Sequence, residues 1–184
     1  MLRIVIGISL VLLFSGCTKK VQVDIKPYVT MHKNAQQTTK VNFIEVNDNR
    51  ETQMVSTILN KDEIIAKYPL SNDLKTWYKE AMIRELKNAK LYDEKNNSYL
   101  DVSINIKKID ATYKKYSLDK KNMQVNISLE LVVVKGEKII TSNININQSV
   151  YKPMILDAEG FESILNESMR DSVSNAVHIL IKKL

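Results

Sequence analysis

The sequence predicts an α+β fold in which two amphipathic helices pack on one face of a largely antiparallel sheet, as a two-layer sandwich. The first observation is that residues 100–150 alternate apolar and polar side chains with the period of a β-strand, so the sheet has one apolar face. The second is that residues 71–89 and 158–184 carry apolar side chains at helical spacing. Both kinds of apolar face are buried when the helices cover the sheet.

The chain before residue 70 predicts three short strands, each ended by residues that favour turns. They are residues 21–25, which Pro27 ends, residues 41–46, which run into the Asx-rich turn at 47–50, and residues 52–59. Residues 61–69 are ambiguous, and their Asp-Glu-Ile-Ile stretch could form a helical turn leading into the next element.

Residues 71–89 predict the first helix, with Ser71 as its N-cap and Asp73 in its first turn. Its apolar stripe comprises Leu74, Trp77, Tyr78, Ala81, Met82, Leu86 and Ala89. Lys87 and Lys90 lie near its C-terminus, where positive charge favours a helix.

Three longer strands and the second helix complete the predicted fold. Residues 100–107, 123–133 and 140–150 alternate most clearly, and Gly136 favours a tight turn between the last two. Residues 112–122 read as a long lysine-rich loop. The closing helix, residues 158–184, begins after Asp157, a suitable cap.

The N-terminus has the pattern of a secretory signal. Arg3 precedes an apolar run over residues 4–14, and small residues then lead to Cys17, the single cysteine of the chain. The run is shorter than the roughly 20 apolar residues that span a bilayer. This junction resembles a bacterial lipobox, with Phe14 where leucine is usual. We expect acylation of Cys17 and a membrane-anchored mature chain, the alternative being an ordinary cleaved signal peptide.

These features divide the chain into three parts. Residues 1–16 are expected to be the signal peptide, residues 17–39 the lipidated N-terminus, a tether and a short strand, and residues 40–184 a single periplasmic domain. Because Thr18, and not aspartate, follows the cysteine, sorting in a Gram-negative cell favours the outer membrane. The inner membrane and the cell surface remain alternatives.

The composition argues against nucleic-acid binding and against catalysis. The chain has 23 lysines but only 4 arginines, dispersed among acidic residues, with a net charge of +6. A nucleic-acid binder would concentrate basic side chains on one face. The two histidines have no neighbours at metal-ligand spacing, and four scattered glycines form no phosphate loop. We therefore expect no enzyme activity, no cofactor and no metal.

Two local features are candidate partner contacts. In the Asn47–Arg50 turn, Asp48 can cap the turn and pair with Arg50, or the two can contact a partner. Trp77 lies beside Tyr78, and we expect one ring in the core and the other at its margin, where it could contact a ligand or partner.

Two loops add further candidates. Lys114, Lys115, Lys120 and Lys121 form either a solvated edge or a contact with acidic headgroups or an acidic partner. In the loop after the first helix, Asn96 is followed two residues later by serine and preceded two residues earlier by Glu94. This pattern resembles the extended sequon of bacteria that glycosylate asparagine in the periplasm.

The order of these features resembles the YajG-type lipoproteins, which are similar in style to auxiliary lipoproteins of envelope ABC transport systems. The resemblance covers a lipobox, a strand ending at Pro27, a strand leading into Asp48-x-Arg50, an amphipathic helix, an antiparallel meander and a closing helix. It implies an outer-membrane-anchored domain without enzyme activity, and it carries over no active site. The chain departs from the pattern in its glycine-poor turns and its lysine-rich loop.

Two function classes stay open. The domain is either an interaction module that docks on an envelope protein or a carrier for a lipid or other hydrophobic ligand. A carrier should enclose an apolar cavity of several hundred Å³ between sheet and helices, whereas a module should have a filled core and an exposed patch.

Overall fold

The computed structural model describes residues 19–31, 40–93, 100–115 and 121–183. It confirms the α+β class, with a six-stranded sheet and two helices. In chain order the elements are β1 (Phe43–Asp48), β2 (Met54–Asn60), β3 (Glu63–Pro69), α1 (Leu74–Asn88), β4 (Asp101–Lys115), β5 (Met123–Lys135), β6 (Lys138–Val150) and α2 (Glu159–Lys183).

The sheet is mixed: most of its pairing is antiparallel, as expected, and two of its strand pairs are parallel. Its order is β3-β2-β4-β5-β6, and β1 also pairs with β4. The β2–β3, β4–β5 and β5–β6 pairs are antiparallel, whereas β1 and β2 both run parallel to β4. At 15 residues, β4 is long enough to hold β1 along its first half and β2 along its second.

A β-bulge interrupts β4 between these two partners. The register shifts between Ile106 and Lys108, so that Ile106 and Ile109 both face the core although they are three residues apart. One extra residue in a strand reverses its alternation in this way. Because of the bulge, the simple alternation of apolar and polar residues ends at residue 107 in the sequence. The strand β4 nevertheless continues to Lys115, through residues that we expected to be part of a loop.

Two further segments in the first half of the chain are settled by the fold: one was ambiguous in the sequence, and the other was expected to be a strand. Residues 63–69 form strand β3 and not a helical turn, because they pair with β2 along the sheet edge. Residues 21–25 form no strand: in this segment Val23 alone makes a bridge, with Leu70. Their alternation is nevertheless meaningful, since Val23 and Ile25 are buried.

The N-cap of α1 is Asp73 and not Ser71. The Asp73 carboxylate accepts hydrogen bonds from the backbone N–H groups of Lys75 and Thr76. The Ser71 hydroxyl instead donates to the carbonyl of Val23, which holds the N-terminal segment. At α2 the expected cap is confirmed, because Asp157 Oδ1 accepts from the N–H of Glu159 at 3.2 Å.

Both helices cover the apolar face of the sheet, as predicted. Tyr78 of α1 is fully buried, and its hydroxyl lies 3.0 Å from Ser172 Oγ of α2, which joins the helices within the core. The layer between sheet and helices is filled by apolar side chains from all three sources, among them Met82, Leu86, Phe161, Leu165, Met169, Ile104, Leu129 and Ile144.

Gly160, in the first turn of α2, allows close packing of the preceding loop. A Cβ atom there would lie 2.6 Å from Ile155 Cγ2 and 3.2 Å from Ile155 Cβ, and this branched, buried side chain has little room to move. We expect Gly160→Ala to lower the free energy of unfolding by about 1–3 kcal/mol in chemical denaturation. Ser163→Ala, at an exposed position of the same helix, is the control. Helix propensity alone favours alanine over glycine, so a rise in the free energy of unfolding of Gly160→Ala would contradict this prediction.

Candidate functional site

The Asp48–Arg50 turn is a structural ion pair at the bulge of β4. Arg50 Nε donates to Asp48 Oδ1 and Nη2 donates to Asp48 Oδ2, each at 2.8 Å, which confirms the local pairing expected from sequence. The Arg50 side chain is only 5% exposed, and the Asp48 side chain is 13% exposed. The hydrogen bonds from Arg50 hold the pKa of Asp48 below its usual range. The N–H of Asn49 donates to the carbonyl of Ile106, so the turn lies against the bulge.

Trp77 and Tyr78 divide between margin and core as expected. Tyr78 is enclosed, and burial raises its pKa. Trp77 lies at the edge, where its Nε1–H donates to the carbonyl of Lys26 at 2.9 Å. Its ring meets that of Tyr28 edge-on, with centroids 6.1 Å apart. The contacts of Trp77 therefore include the N-terminal part of the chain itself.

The structure reveals that residues 19–31, here called the N-terminal strap, are docked along both helices. Sequence reasoning treated them mainly as a tether. Three apolar side chains of the strap are buried, namely Val23, Ile25 and Tyr28. Its backbone N–H groups donate to side chains of both helices and of the segment before α1: Asp24 to Glu162, Ile25 to Asn72, Lys26 to Asn166 and Met31 to Glu85.

The buried carboxylate of Glu85 receives the far end of the strap. Both of its oxygens lie 3.0 Å from the backbone nitrogen of Met31, and Glu85 is fully buried on α1. Burial, and then the negative charge of Glu85, raise the pKa of Tyr28. Glu85 lies beside the predicted apolar stripe of the first helix. A glutamate at this place was the sequence signal that a polar group packs over the helix.

The strap begins at the start of α2. The N–H of Lys20 donates to Asp157 Oδ2 at 3.3 Å, and the carbonyl of Lys20 accepts from the N–H of Ala158 at 3.2 Å. The Lys20 ammonium also pairs with Asp24 and Glu162 at 2.6 and 2.5 Å, and these hydrogen bonds raise its pKa. The first residues of the described chain are thus held on the domain.

The candidate lysines lie at one end of the sheet. Lys114 and Lys115 end β4, and Lys121 stands just before β5. The neighbouring Asn122 joins this end to the loop after β6, because its side chain donates to the carbonyl of Lys152 and accepts from its N–H. Three other candidates, Lys120, Asn96 and Cys17, lie outside the described residues.

The loop between β6 and α2 presents apolar side chains that sequence reasoning passed over. Ile155 is buried, whereas Met154 and Leu156 on either side of it are 63% and 60% exposed. Tyr151 is also exposed. An apolar residue in a loop carries no periodic signal, so only the folded chain shows which of them face outward.

The openings of the domain are surface grooves lined in part by charged residues. One of about 620 Å³ lies between the strap and α2, and its lining includes Lys26, Trp77, Glu162, Asn166 and Arg170. Another, of about 370 Å³, lies beside the β4 bulge between Arg50 and Lys108. Neither lies between the sheet and the helices, where a carrier would hold an apolar ligand.

Within residues 19–31, 40–93, 100–115 and 121–183, no group of three or more His, Cys, Asp or Glu side chains is placed to hold a metal ion. None of the helices in this described part of the chain has the length and apolar character needed to cross a membrane.

Comparison with known proteins gives a family and a fold. A family model described as "Uncharacterized lipoprotein" matches residues 27–178. The chain is similar in fold to a crystal structure of an uncharacterized protein, with a TM-score of 0.54 and 9% identity over 89% of this chain and 99% of that one. Protein XCC0632 from Xanthomonas campestris, of the DUF330 family, aligns with a TM-score of 0.49 and 7% identity over 89% of this chain and 90% of that one. No functionally curated protein matches the chain.

Proposed function

Because the chain belongs to the YajG family of uncharacterized lipoproteins, we propose that acyl chains on Cys17 anchor it in the outer membrane and that its domain is a non-enzymatic interaction module of the cell envelope. The domain faces the periplasm and acts by contact with an envelope protein. The family match supports the lipoprotein character, and the lipobox-like junction before Cys17 supplies the site.

The observation that carries the module proposal is the filled layer between sheet and helices. Apolar side chains from both helices and the sheet occupy the position where a carrier would need its cavity. The two grooves described above lie outside this layer and have charged residues in their linings. This arrangement favours a module over a carrier for a hydrophobic ligand.

Three buried ionisable groups of the described structure have structural partners, which supports a role without catalysis. Asp48 forms an ion pair with Arg50, and Glu85 accepts a hydrogen bond from the backbone N–H of Met31 in the strap. The Tyr78 hydroxyl is hydrogen-bonded to Ser172 Oγ. A catalytic group would instead face an opening with its pKa tuned for proton transfer.

Cys17→Ser tests the anchor. We expect this variant to lose palmitate labelling and to leave the membrane fraction, or to accumulate as a precursor that retains residues 1–16. Thr18→Asp is the matched control, because it keeps the acceptor thiol: it should remain acylated but move to the inner membrane. Continued outer-membrane fractionation of Cys17→Ser would contradict the proposed anchor.

Native mass spectrometry of Cys17→Ser protein that has been released from the envelope tests the module against the carrier. A module should have the mass of the polypeptide alone. A lipid or other hydrophobic molecule retained in stoichiometric amount would favour the carrier and overturn the module proposal.

A further inference from the structure

Three exposed apolar side chains lie where the chain enters the domain. Val21 of the strap is 69% exposed, and Met154 and Leu156 of the loop before α2 are exposed to a similar extent. We call these three residues the anchor-side patch. Isolated exposed apolar residues are common on proteins, so these three are distinguished by how they are held and by what is next to them.

The loop that carries two of them is held in place on both sides. Asn122 forms two hydrogen bonds with the backbone of Lys152, and the Tyr113 hydroxyl donates to the carbonyl of Pro153 at 3.3 Å. Ile155 is buried in tight contact with Gly160. With Ile155 directed inward, Met154 and Leu156 are directed outward.

The strap places Val21 beside this loop. The carbonyl of Lys20 accepts a hydrogen bond from the N–H of Ala158, two residues after Leu156. Met154 and Leu156 line one shallow groove and Val21 lines another, and Glu159 borders both. The three apolar side chains therefore belong to one region of the surface.

The distance from this region to the proposed anchor is short. Lys20 is the third residue after Cys17, and three residue steps span at most about 10 Å when fully extended. The headgroup layer on each side of a bilayer is about 5–8 Å thick. Acyl chains on Cys17 would therefore keep the anchor-side patch at the headgroup layer.

From this geometry we infer that the anchor-side patch inserts into the headgroup layer of the membrane that holds the acyl chains. The inference rests on the proposed acylation of Cys17. Insertion would bury apolar side chains that water now surrounds, and it would hold the domain in one orientation. The β5–β6 turn, at the opposite end of the sheet, would then point away from the membrane.

The charges near the patch are of both signs, because Lys19 and Lys152 line the same grooves as the patch and Glu159 borders both. Lys20 is paired with Asp24 and Glu162, and the Asp157 carboxylate accepts hydrogen bonds from the backbone N–H groups of Lys20 and Glu159. Exposed Tyr151 belongs to a residue type enriched at membrane interfaces.

Site-specific labelling of the acylated full chain tests the inference. Acylation blocks the thiol of Cys17, so a cysteine introduced by Leu156→Cys is the single reactive thiol. Ile139→Cys is the matched control, because Ile139 is 68% exposed and lies by the β5–β6 turn. Each variant is labelled with a polarity-sensitive dye and reconstituted in vesicles of phosphatidylethanolamine and phosphatidylglycerol, and separately of phosphatidylcholine.

We expect a blue shift of emission and quenching by nitroxide lipids for the dye at position 156 in both kinds of vesicle, and neither effect at position 139. Equal exposure of the two dyes to water would overturn the inference. A shift at 156 that appears only at high protein density, or only when envelope proteins are added, would also overturn it, in favour of a second copy or a protein partner. Failure of acylation itself is recognised separately, because Cys17 would then take up dye and the protein would not float with the vesicles.

Discussion

Replacing Arg50 with alanine is expected to lower the free energy of unfolding by about 3–5 kcal/mol, because the mostly buried carboxylate of Asp48 loses its cation. Arg50 contacts both carboxylate oxygens, and its Nη2 also donates to Gln53 Oε1. The pair lies where β1 ends and the β4 bulge begins, so its loss would also loosen the junction between β1 and β2. Urea denaturation followed by circular dichroism measures the change.

Two variants make this prediction specific. Arg84→Ala removes an exposed arginine that makes one long hydrogen bond, to the carbonyl of Tyr28, and it should change stability by no more than about 0.5 kcal/mol. Asp48→Asn/Arg50→Met removes both charges and should recover part of the stability lost in Arg50→Ala. If Arg50→Ala costs no more than Arg84→Ala, the pair has no structural role.

The pH dependence gives a second measurement of the same pair. Hydrogen bonds from Arg50 lower the pKa of Asp48 in the folded state, whereas the unfolded chain has a value of about 3.9. The folded state therefore binds fewer protons at this site than the unfolded state does. The contribution of the pair to the free energy of unfolding is complete above the unfolded pKa, and it is lost as the pH falls through the folded pKa. The stability difference between wild type and Asp48→Asn should shrink below about pH 4. A difference that stays constant down to pH 2 would contradict it.

Replacing Tyr28 with alanine is expected to release the N-terminal strap and to lower the free energy of unfolding by about 3 kcal/mol. The Tyr28 ring is buried against Trp77, at the centre of the strap's contacts with α1. Hydrogen exchange gives the more specific measurement: the backbone N–H groups of Lys26 and Met31 should lose protection while β4 and β5 keep theirs.

Tyr28→Phe keeps the ring and should retain most of the protection in residues 24–31. Tyr151→Ala is the control for loss of an exposed tyrosine, and it should change stability by no more than about 0.5 kcal/mol. Unchanged exchange in the strap of Tyr28→Ala would show that the backbone hydrogen bonds suffice without the ring.

The sequence predicted those parts of the fold that are encoded in neighbouring residues. Alternation over residues 100–107 and 123–133 led to β4 and β5, and the stripe from Leu74 to Leu86 led to α1. The pairing of Asp48 with Arg50 was predictable for the same reason, since only one residue separates them in the sequence. The family resemblance also came from element order, and the family match confirmed it.

The sequence could not give the parallel pairing of β1 and β2 with β4 or the final burial of charged residues. The parallel pairing of β1 and β2 with β4 joins residues more than 50 positions apart, and the bulge at Ile106 that separates them breaks the periodic signal. Likewise, the turn that carries Arg50 lies against this bulge through the hydrogen bond from the N–H of Asn49 to the carbonyl of Ile106, a contact between residues more than 50 positions apart.

By itself, then, the sequence determined the α+β class and the helices and long strands, because periodicity is a property of consecutive residues, and the junction at Cys17 stays a prediction. Tertiary structure alone decided that residues 19–31 pack along both helices and that Met154 and Leu156 face outward beside them. Both outcomes depend on contacts with α2, which join residues more than 130 positions apart. No local sequence pattern records the free energy of such contacts.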